Sequence, residues 1–158
     1  MLVKDVMTQE PLACDPHMTA DRAVTLMQDH NVGFLPVLKA VHGYVKVVGV
    51  VTDRDLCLRV LADDLQPHRA SIEMCMTRDP VMCKPTDTLQ QALHLMDEHH
   101  VRRLPVVDNS DRLMGVITLG DIARSKLVPA EDVVHTLRRL DGRKKHHHPK
   151  VLTMSSAH

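Results

Sequence analysis

Aromatic side chains and an excess of either charge are what this sequence lacks most. Its 158 residues include only Phe34 and Tyr44 as aromatics, with no tryptophan, and 20 Lys and Arg balance 20 Asp and Glu. Nucleic-acid binders place excess basic side chains along the phosphates, and they hold single strands by stacking bases on aromatic rings. The composition therefore argues against a nucleic-acid partner.

Leader-like and membrane-spanning segments are also missing. Residues 1–5 carry charges where a signal peptide needs an apolar run, and the valine-rich middle is broken at Gly49 and ends at Thr52. The four cysteines follow no metal-ligand spacing and are too sparse for a disulfide scaffold. We expect a cytoplasmic protein with free thiols and no membrane contact.

An internal repeat organises what is present. Shifted by 69 residues, the segment 7–38 coincides with 76–107 at 14 of 32 positions, where typical residue frequencies give about two by chance. Beyond it, 49–55 matches 115–121 at an offset of 66, so the first copy carries three extra residues, which we place in the turn around His42 and Gly43. The chain is a tandem duplication.

Each copy has the same predicted order: a short helical turn, an extended piece bounded by prolines, an amphipathic helix, two strands and a second helix. We predict first strands over 34–38 and 103–107, second strands over 45–51 and 113–117, and final helices from Asp53 and Leu119. One such unit has too little core to stand alone. The sequence predicts an α+β fold in which two β-α-β-β-α units pack about a pseudo-twofold axis.

Four segments follow from this division. The units span 1–66 and 67–126, and a helix within 127–142 opens after Pro129 and closes at Gly142. Residues 143–158 are polar, basic and rich in histidine, and we expect them to be disordered. The triple histidine at 146–148 is interpreted as an adventitious rather than a functional metal ligand.

A Gly-aliphatic-aliphatic-Thr-x-x-Asp motif closes the second strand of each copy, at 49–55 and 115–121. A strand-to-helix turn presents free backbone N–H groups to a phosphate, a threonine hydroxyl adds a donor, and a carboxylate accepts from the two hydroxyls of a ribose. The same pattern is also an ordinary helix-capping box. Duplication copies caps as well as binding sites, so both interpretations stay open.

Motifs for catalysis are absent from the sequence. It contains no GxSxG, HExxH, CxxC or GxxxxGK[ST] pattern. We therefore expect a protein that is not an enzyme and that needs no catalytic cofactor or metal.

The tandem order of helix, Leu-Pro-Val strand, turn and Gly-h-h-Thr-x-x-Asp resembles the cystathionine-β-synthase (CBS) domain pair, or Bateman module, over about residues 1–126. The resemblance implies two clefts between the motifs. It implies an adenosyl ligand, namely AMP, ADP, ATP, NAD or S-adenosylmethionine, and a regulatory, energy-sensing role.

The resemblance also implies roles for individual residues. Asp55 and Asp121 would hold ribose, and Thr52 and Thr118 would contact phosphate. Further phosphate contacts are expected from basic residues before the second Pro-Val strand and from one arginine at the first helix start, namely Arg102, Arg103 and Arg54. Since the first copy has Gly33 and Phe34 in place of the arginine pair, we expect unequal clefts. Adenine would lie against two extended segments and two strands: Leu12, Ala13, Leu35, Pro36, Val81, Met82, Leu104 and Pro105.

The resemblance further implies a homodimer, with the helix after Pro129 contributing, and a regulated target that is a separate protein. The alternatives are a ligand-independent dimerisation or interaction module with degenerate clefts, a slow nucleotide hydrolase, and nucleic-acid binding through the tail 143–150. Cys14 and Cys83 occupy equivalent positions because of the duplication; a redox pair across the axis is the less favoured interpretation.

Overall fold

The structure is a computed structural model and describes residues 1–142. The order of elements repeats as the duplication predicts, and the α+β fold is confirmed. The first copy contains a 3-10 turn Val3–Asp5, β1 Thr8–Gln9, α1 Ala20–Asp29, β2 Phe34–Val41, β3 Tyr44–Thr52 and α2 Asp53–Ala62. The second contains α3 Ile72–Cys75, β4 Thr77–Arg78, α4 Leu89–His99, β5 Arg103–Val107, β6 Leu113–Thr118 and α5 Leu119–Ser125, followed by α6 Ala130–Asp141.

The predicted disordered tail 143–158, with its triple histidine, lies outside the described residues. Within 1–142 there is no helix with the length and apolar character needed to cross a membrane.

The hairpins of the two copies differ in length. The strands β2 and β3 have 8 and 9 residues, whereas β5 and β6 have 5 and 6. The turn between β2 and β3 is only His42 and Gly43, both with positive φ, as a tight type I′ turn requires. The prediction that the three extra residues enlarge the turn is therefore wrong: they lengthen both strands, because a two-residue turn already matches the strand twist.

The first segment of each copy pairs with the sheet of the other copy. Strand β1 pairs antiparallel with β6, placing Thr8 opposite Val116, and β4 pairs with β3, placing Thr77 opposite Val50. Backbone hydrogen bonds 2.8 Å long continue this exchange, from Val3 N to Asp87 O and from Ile72 N to Met18 O. We call residues 1–9 and 70–78 the exchanged arms.

The exchanged arms also complete the two hydrophobic cores. The first-copy core contains Met27, Leu35, Val37 and Val51, and it includes Ile72, Cys75 and Met76 from the arm of the second copy. The second-copy core contains Met96, Leu104, Val106 and Ile117, and it includes Val3 from the N-terminal arm. Neither copy buries its apolar face with its own arm.

Cys14 and Cys83 lie in these two separate cores, and both are free thiols, so the two form no redox pair. Each Sγ lies near the carbonyl of the proline 22 residues later, at 3.8 Å for Pro36 and 3.9 Å for Pro105. Burial raises the pKa of both thiols to about 12.

Helix α6 breaks the pseudosymmetry. It packs on α4 and α5 through an apolar stripe that includes Leu140. Polar contacts fix it, with Arg139 Nε 2.9 Å from Asp97 Oδ1, and with Gln90 Nε2 donating to Asp132 Oδ2 at 2.9 Å. No described helix covers α1 and α2 in the same way, and these two helices leave three large apolar side chains exposed: Val24, Leu58 and Leu61.

Candidate functional site

A cleft of about 650 Å³ lies between the copies, next to the second motif. Its walls come from three places: the segment after the N-terminal arm, the loop between α1 and β2, and the β5–β6–α5 region. We call it the Asp121 cleft, and its lining consists of Thr8, residues 10–12, residues 30–34, Arg103, Val116, Thr118, Asp121 and Arg124. The chain exchange is what brings the first of these walls to the second motif.

Asp121 is held by a complete capping box. Its backbone N–H donates to Thr118 Oγ1 at 3.0 Å, and its Oδ2 accepts from Thr118 N at 2.9 Å and from Thr118 Oγ1 at 2.7 Å. The other oxygen, Oδ1, is paired with the guanidinium of Arg124. The capping interpretation of the motif is therefore realised here, and the ribose role of Asp121 stays a prediction about the same carboxylate.

The first motif forms the same box with fewer partners. Asp55 N donates to Thr52 Oγ1 at 3.0 Å, and Thr52 N donates to Asp55 Oδ2 at 3.0 Å. The residue equivalent to Arg124 is Leu58, which is exposed. Arg54 is exposed at the start of α2, and its guanidinium takes part in none of the ion pairs found within residues 1–142.

The structure separates the predicted arginine pair. Arg103 lies opposite Thr118 in the β5–β6 register, so both side chains are on one face, and Arg103 lines the Asp121 cleft. Arg102 instead forms an ion pair with Asp141 at the end of α6, outside that cleft. Arg102 lies in the bend that precedes the first residue of β5, so the strand does not fix its side chain, which reaches the end of α6 instead.

The predicted adenine walls are also divided. Leu12 lines the Asp121 cleft, whereas Leu35 and Leu104 are fully buried in the two cores. Pro36 and Pro105 offer carbonyls that already accept from Cys14 N and Cys83 N, at 3.0 and 3.1 Å. The remaining candidates are partly buried and do not line the Asp121 cleft, namely Ala13, Val81 and Met82.

Glu10, Pro11 and Val116 line the cleft without having been predicted, and three further contributors were also missed from the sequence: Thr8, the loop 30–34 as a wall of the second motif, and Arg124. A signal for Arg124 was available, because a residue three positions after Asp121 on a helix faces the same side. No comparable signal existed for the other two, since their placement depends on how the copies pack.

Metal chemistry finds no support in the described part of the chain. No group of three or more His, Cys, Asp or Glu side chains that could hold a metal ion occurs within residues 1–142. The buried thiols of Cys14 and Cys83 are equally poor nucleophiles, because a raised pKa keeps them protonated at neutral pH.

Comparisons with known proteins agree with this architecture. A family model described as "CBS domain" matches residues 3–62 and 70–127. The CBS domain-containing protein YhcV of Bacillus subtilis is 37% identical over 125 residues, covering 79% of this chain and 85% of that protein.

Two solved structures are similar along most of the chain. The CBS domain pair of protein MJ0100, in complex with 5′-methylthioadenosine and S-adenosyl-L-methionine, has a TM-score of 0.70 and 28% identity, covering 80% of this chain and 95% of that one. CBSX2, a CBS-pair protein from Arabidopsis thaliana, in complex with AMP, has a TM-score of 0.67 and 30% identity, covering 80% and 96%.

Proposed function

Because the chain belongs to the CBS-domain family, we propose that it is a regulatory module that binds an adenosyl ligand between its two motifs. The observation that carries the proposal is the Asp121 cleft, in which both copies supply walls around a threonine, a carboxylate and an arginine. The adenosyl class is supported by the AMP complex of CBSX2 and by the two adenosyl compounds bound to the MJ0100 pair.

The chemistry of the cleft suits each part of such a ligand. The Asp121 carboxylate accepts from ribose hydroxyls, while the Arg103 guanidinium donates to a phosphate. The Thr118 hydroxyl donates its single hydrogen to Asp121 Oδ2 and must turn away from it to donate to a phosphate. Leu12 and Phe34 supply apolar surface for a purine. The preferred compound among AMP, ADP, ATP, NAD and S-adenosylmethionine depends on the groups attached to the 5′ position.

Signalling requires that the ligand prefer one state of the protein. We propose that occupancy is transmitted through conformation or oligomeric state to a separate target protein, from a cytoplasmic homodimer without catalytic activity. The exposed apolar side chains on α1 and α2, among them Leu58 and Leu61, support self-association through that helical face.

A thermal-shift titration against AMP, ADP, ATP, NAD, S-adenosylmethionine and GMP tests the proposal. A ligand that binds only the folded state adds about 2.7 kcal/mol to stability at 100 times its Kd. A saturable shift with at least one adenosyl compound and none with GMP is expected. Absence of any shift, after co-purified ligand has been removed, would contradict the proposal.

A ligand-independent dimerisation module is the second candidate. It is favoured by the capping boxes at Thr52 and Thr118, because the threonine and one carboxylate oxygen of each motif are engaged in helix capping. Sedimentation equilibrium with and without AMP separates the two candidates. A stable dimer in a protein that binds no adenosyl compound would favour the second.

A further inference from the structure

We propose that Arg124 is an exchangeable counter-ion that makes the Asp121 cleft selective for anionic nucleotides. This inference rests on the proposed function and adds a mechanism to it. The guanidinium neutralises Asp121 when ribose is not bound. When a nucleotide binds, the ribose hydroxyls replace the guanidinium on the carboxylate, and the released guanidinium pairs with the phosphate of the same ligand.

The contacts of Asp121 are the first support. Both of its oxygens are engaged, Oδ2 by Thr118 and Oδ1 by Arg124. A ribose that bonds this carboxylate must therefore compete with one of these partners. Arg124 is the partner that can leave, because its side chain is 73% exposed, whereas that of Asp121 is 17% exposed and fixed by the capping box.

The space around Arg124 is the second support. A Cβ placed at Gly120 would lie 3.1 Å from Arg124 Nη1 and 3.6 Å from Thr118 Oγ1. The guanidinium thus lies over the start of α5, beside the hydroxyl that is predicted to contact phosphate. In the first copy the residue equivalent to Gly120 is Arg54, which carries a side chain where glycine has none. The residue equivalent to Arg124 is Leu58, which has no charge.

The charge of the cleft is the third support. Arg103 and Arg124 line it together with the acidic Glu10 and Asp121, and Arg103 belongs to none of the ion pairs within residues 1–142. Once Arg124 leaves Asp121, two guanidiniums are available to one ligand. A phosphate can pair with both of them, whereas the sulfonium of S-adenosylmethionine can pair with neither.

The free energies of the two contacts favour exchange of Arg124 from Asp121 to the phosphate over a permanent Asp121–Arg124 ion pair. An ion pair with one largely exposed partner contributes no more than about a fivefold change in an equilibrium constant. A phosphate accepts from Arg103 as well as from Arg124, and the charge-assisted hydrogen bonds from the two guanidiniums together contribute roughly tenfold or more. Adenosine must displace Arg124 without providing a new partner, whereas AMP provides one.

Calorimetric titration of the full chain with adenosine, AMP and S-adenosylmethionine tests the inference, comparing the unaltered protein with Arg124→Gln. The variant should bind adenosine up to about fivefold more tightly and AMP about tenfold more weakly. The preference for AMP over S-adenosylmethionine should shrink as well. Arg138→Gln removes the same charge from exposed helix α6, outside the cleft, and should change none of these ratios.

Three results would overturn the inference. Equal weakening of adenosine and AMP in Arg124→Gln would make Arg124 a structural residue. Weaker AMP with unchanged adenosine would make it a simple phosphate ligand without exchange. If the unaltered protein binds none of the three compounds, the proposed function itself fails and the inference fails with it. Circular dichroism confirms that the exposed substitution leaves the fold intact.

Discussion

The two copies of the repeat share one chain path, yet they differ in what surrounds their Thr-x-x-Asp boxes. In the second copy Asp121 has an arginine partner, and Arg103 stands across from Thr118. In the first copy the same two positions hold Leu58 and Phe34. Identical capping geometry therefore coexists with different charge. The comparison teaches that the cap is the part that the two motifs share, and that the side chains around it decide which ligand each motif suits.

Removing the carboxylates of Asp121 and Asp55 in turn should have the largest effect on ligand binding and should distinguish the two copies. We expect Asp121→Ala to weaken AMP binding by about 2–4 kcal/mol, because two ribose hydrogen bonds to a charged acceptor are lost. Asp55→Ala should affect only binding at the first motif. Calorimetry measures both affinity and stoichiometry.

Each of these substitutions also removes the N3 carboxylate of a capping box but leaves the N-cap threonine, and the lost hydrogen bond costs about 1 kcal/mol of stability. Thermal denaturation should therefore show similar losses for both variants. If Asp121→Ala loses stability yet keeps its AMP affinity, the residue is a cap and nothing more.

The two exchanged arms can be compared through the glycines on which they pack, Gly115 in β6 and Gly49 in β3. A Cβ at Gly115 would lie 2.7 Å from both Met7 Sδ and Thr8 O, and one at Gly49 would lie 2.7 Å from Met76 Sδ and 2.9 Å from Thr77 O. We expect Gly115→Ala and Gly49→Ala each to lower the free energy of unfolding by about 1–3 kcal/mol in urea titrations.

The two glycine variants should differ in binding. The N-terminal arm carries Thr8, a wall of the Asp121 cleft, so only Gly115→Ala should also weaken AMP. Equal AMP affinities in the two variants would show that the arm does not shape the site.

Helix α6 packs on the second copy, and removing its ion pair with that copy should lower the stability by a smaller amount. Asp97 is 16% exposed and its partner Arg139 is 54% exposed, so solvent screens the pair. We expect Arg139→Ala to lower stability by about 1 kcal/mol, because it leaves a mostly buried carboxylate unpaired. Arg138→Ala, one residue earlier and exposed, is the matched control and should cost less than about 0.5 kcal/mol. Equal losses in the two variants would show that the Asp97 pair contributes nothing.

The cysteines of the native protein should differ in their reactivity toward thiol reagents. Cys57 is exposed, and the other three cysteines are buried. At pH 8 we expect a thiol reagent to modify one residue quickly, and Cys57→Ser to abolish that fast phase. Rapid modification of a second thiol in the native protein would contradict the burial of Cys14 and Cys83.

The pKa values of Cys14 and Cys83 add a pH dependence. Because burial raises both from 9.0 to about 12, the folded state keeps protons that the unfolded state releases above pH 9. The stabilisation from these protonated thiols is complete below pH 9, and it should decline as the pH rises from 9 toward 12. Urea titrations across that range measure it.

Much of the fold could be predicted because local signals and the repeat agree. Prolines, caps and alternating apolar residues located the helices and strands, and the tail helix ends before Gly142 as predicted. The exchange of arms could not be predicted, because a shift of the sequence against itself treats both copies alike. It does not reveal which sheet receives residues 1–9 or 70–78.

The site was predicted less completely, for physical reasons that individual residues show. Thr118, Asp121 and Arg103 lie together because a strand end and its neighbouring strand fix them. The resemblance groups Arg102 with Arg103, yet Arg102 precedes β5 and pairs with Asp141 at the end of α6. The resemblance assigns Leu35 to an adenine wall, but its inward-facing strand position buries it.

The arm exchange has a consequence for how such a chain arises. A single repeat would carry an arm whose docking groove lies on another molecule, so one copy alone would leave both its arm and its core unsatisfied. Two separate copies would satisfy each other and form two identical clefts. The present chain is thus a covalently tethered pair of interlocked subunits. Tethering freed the surroundings of the two Thr-x-x-Asp boxes to diverge, which no symmetric assembly of identical subunits allows.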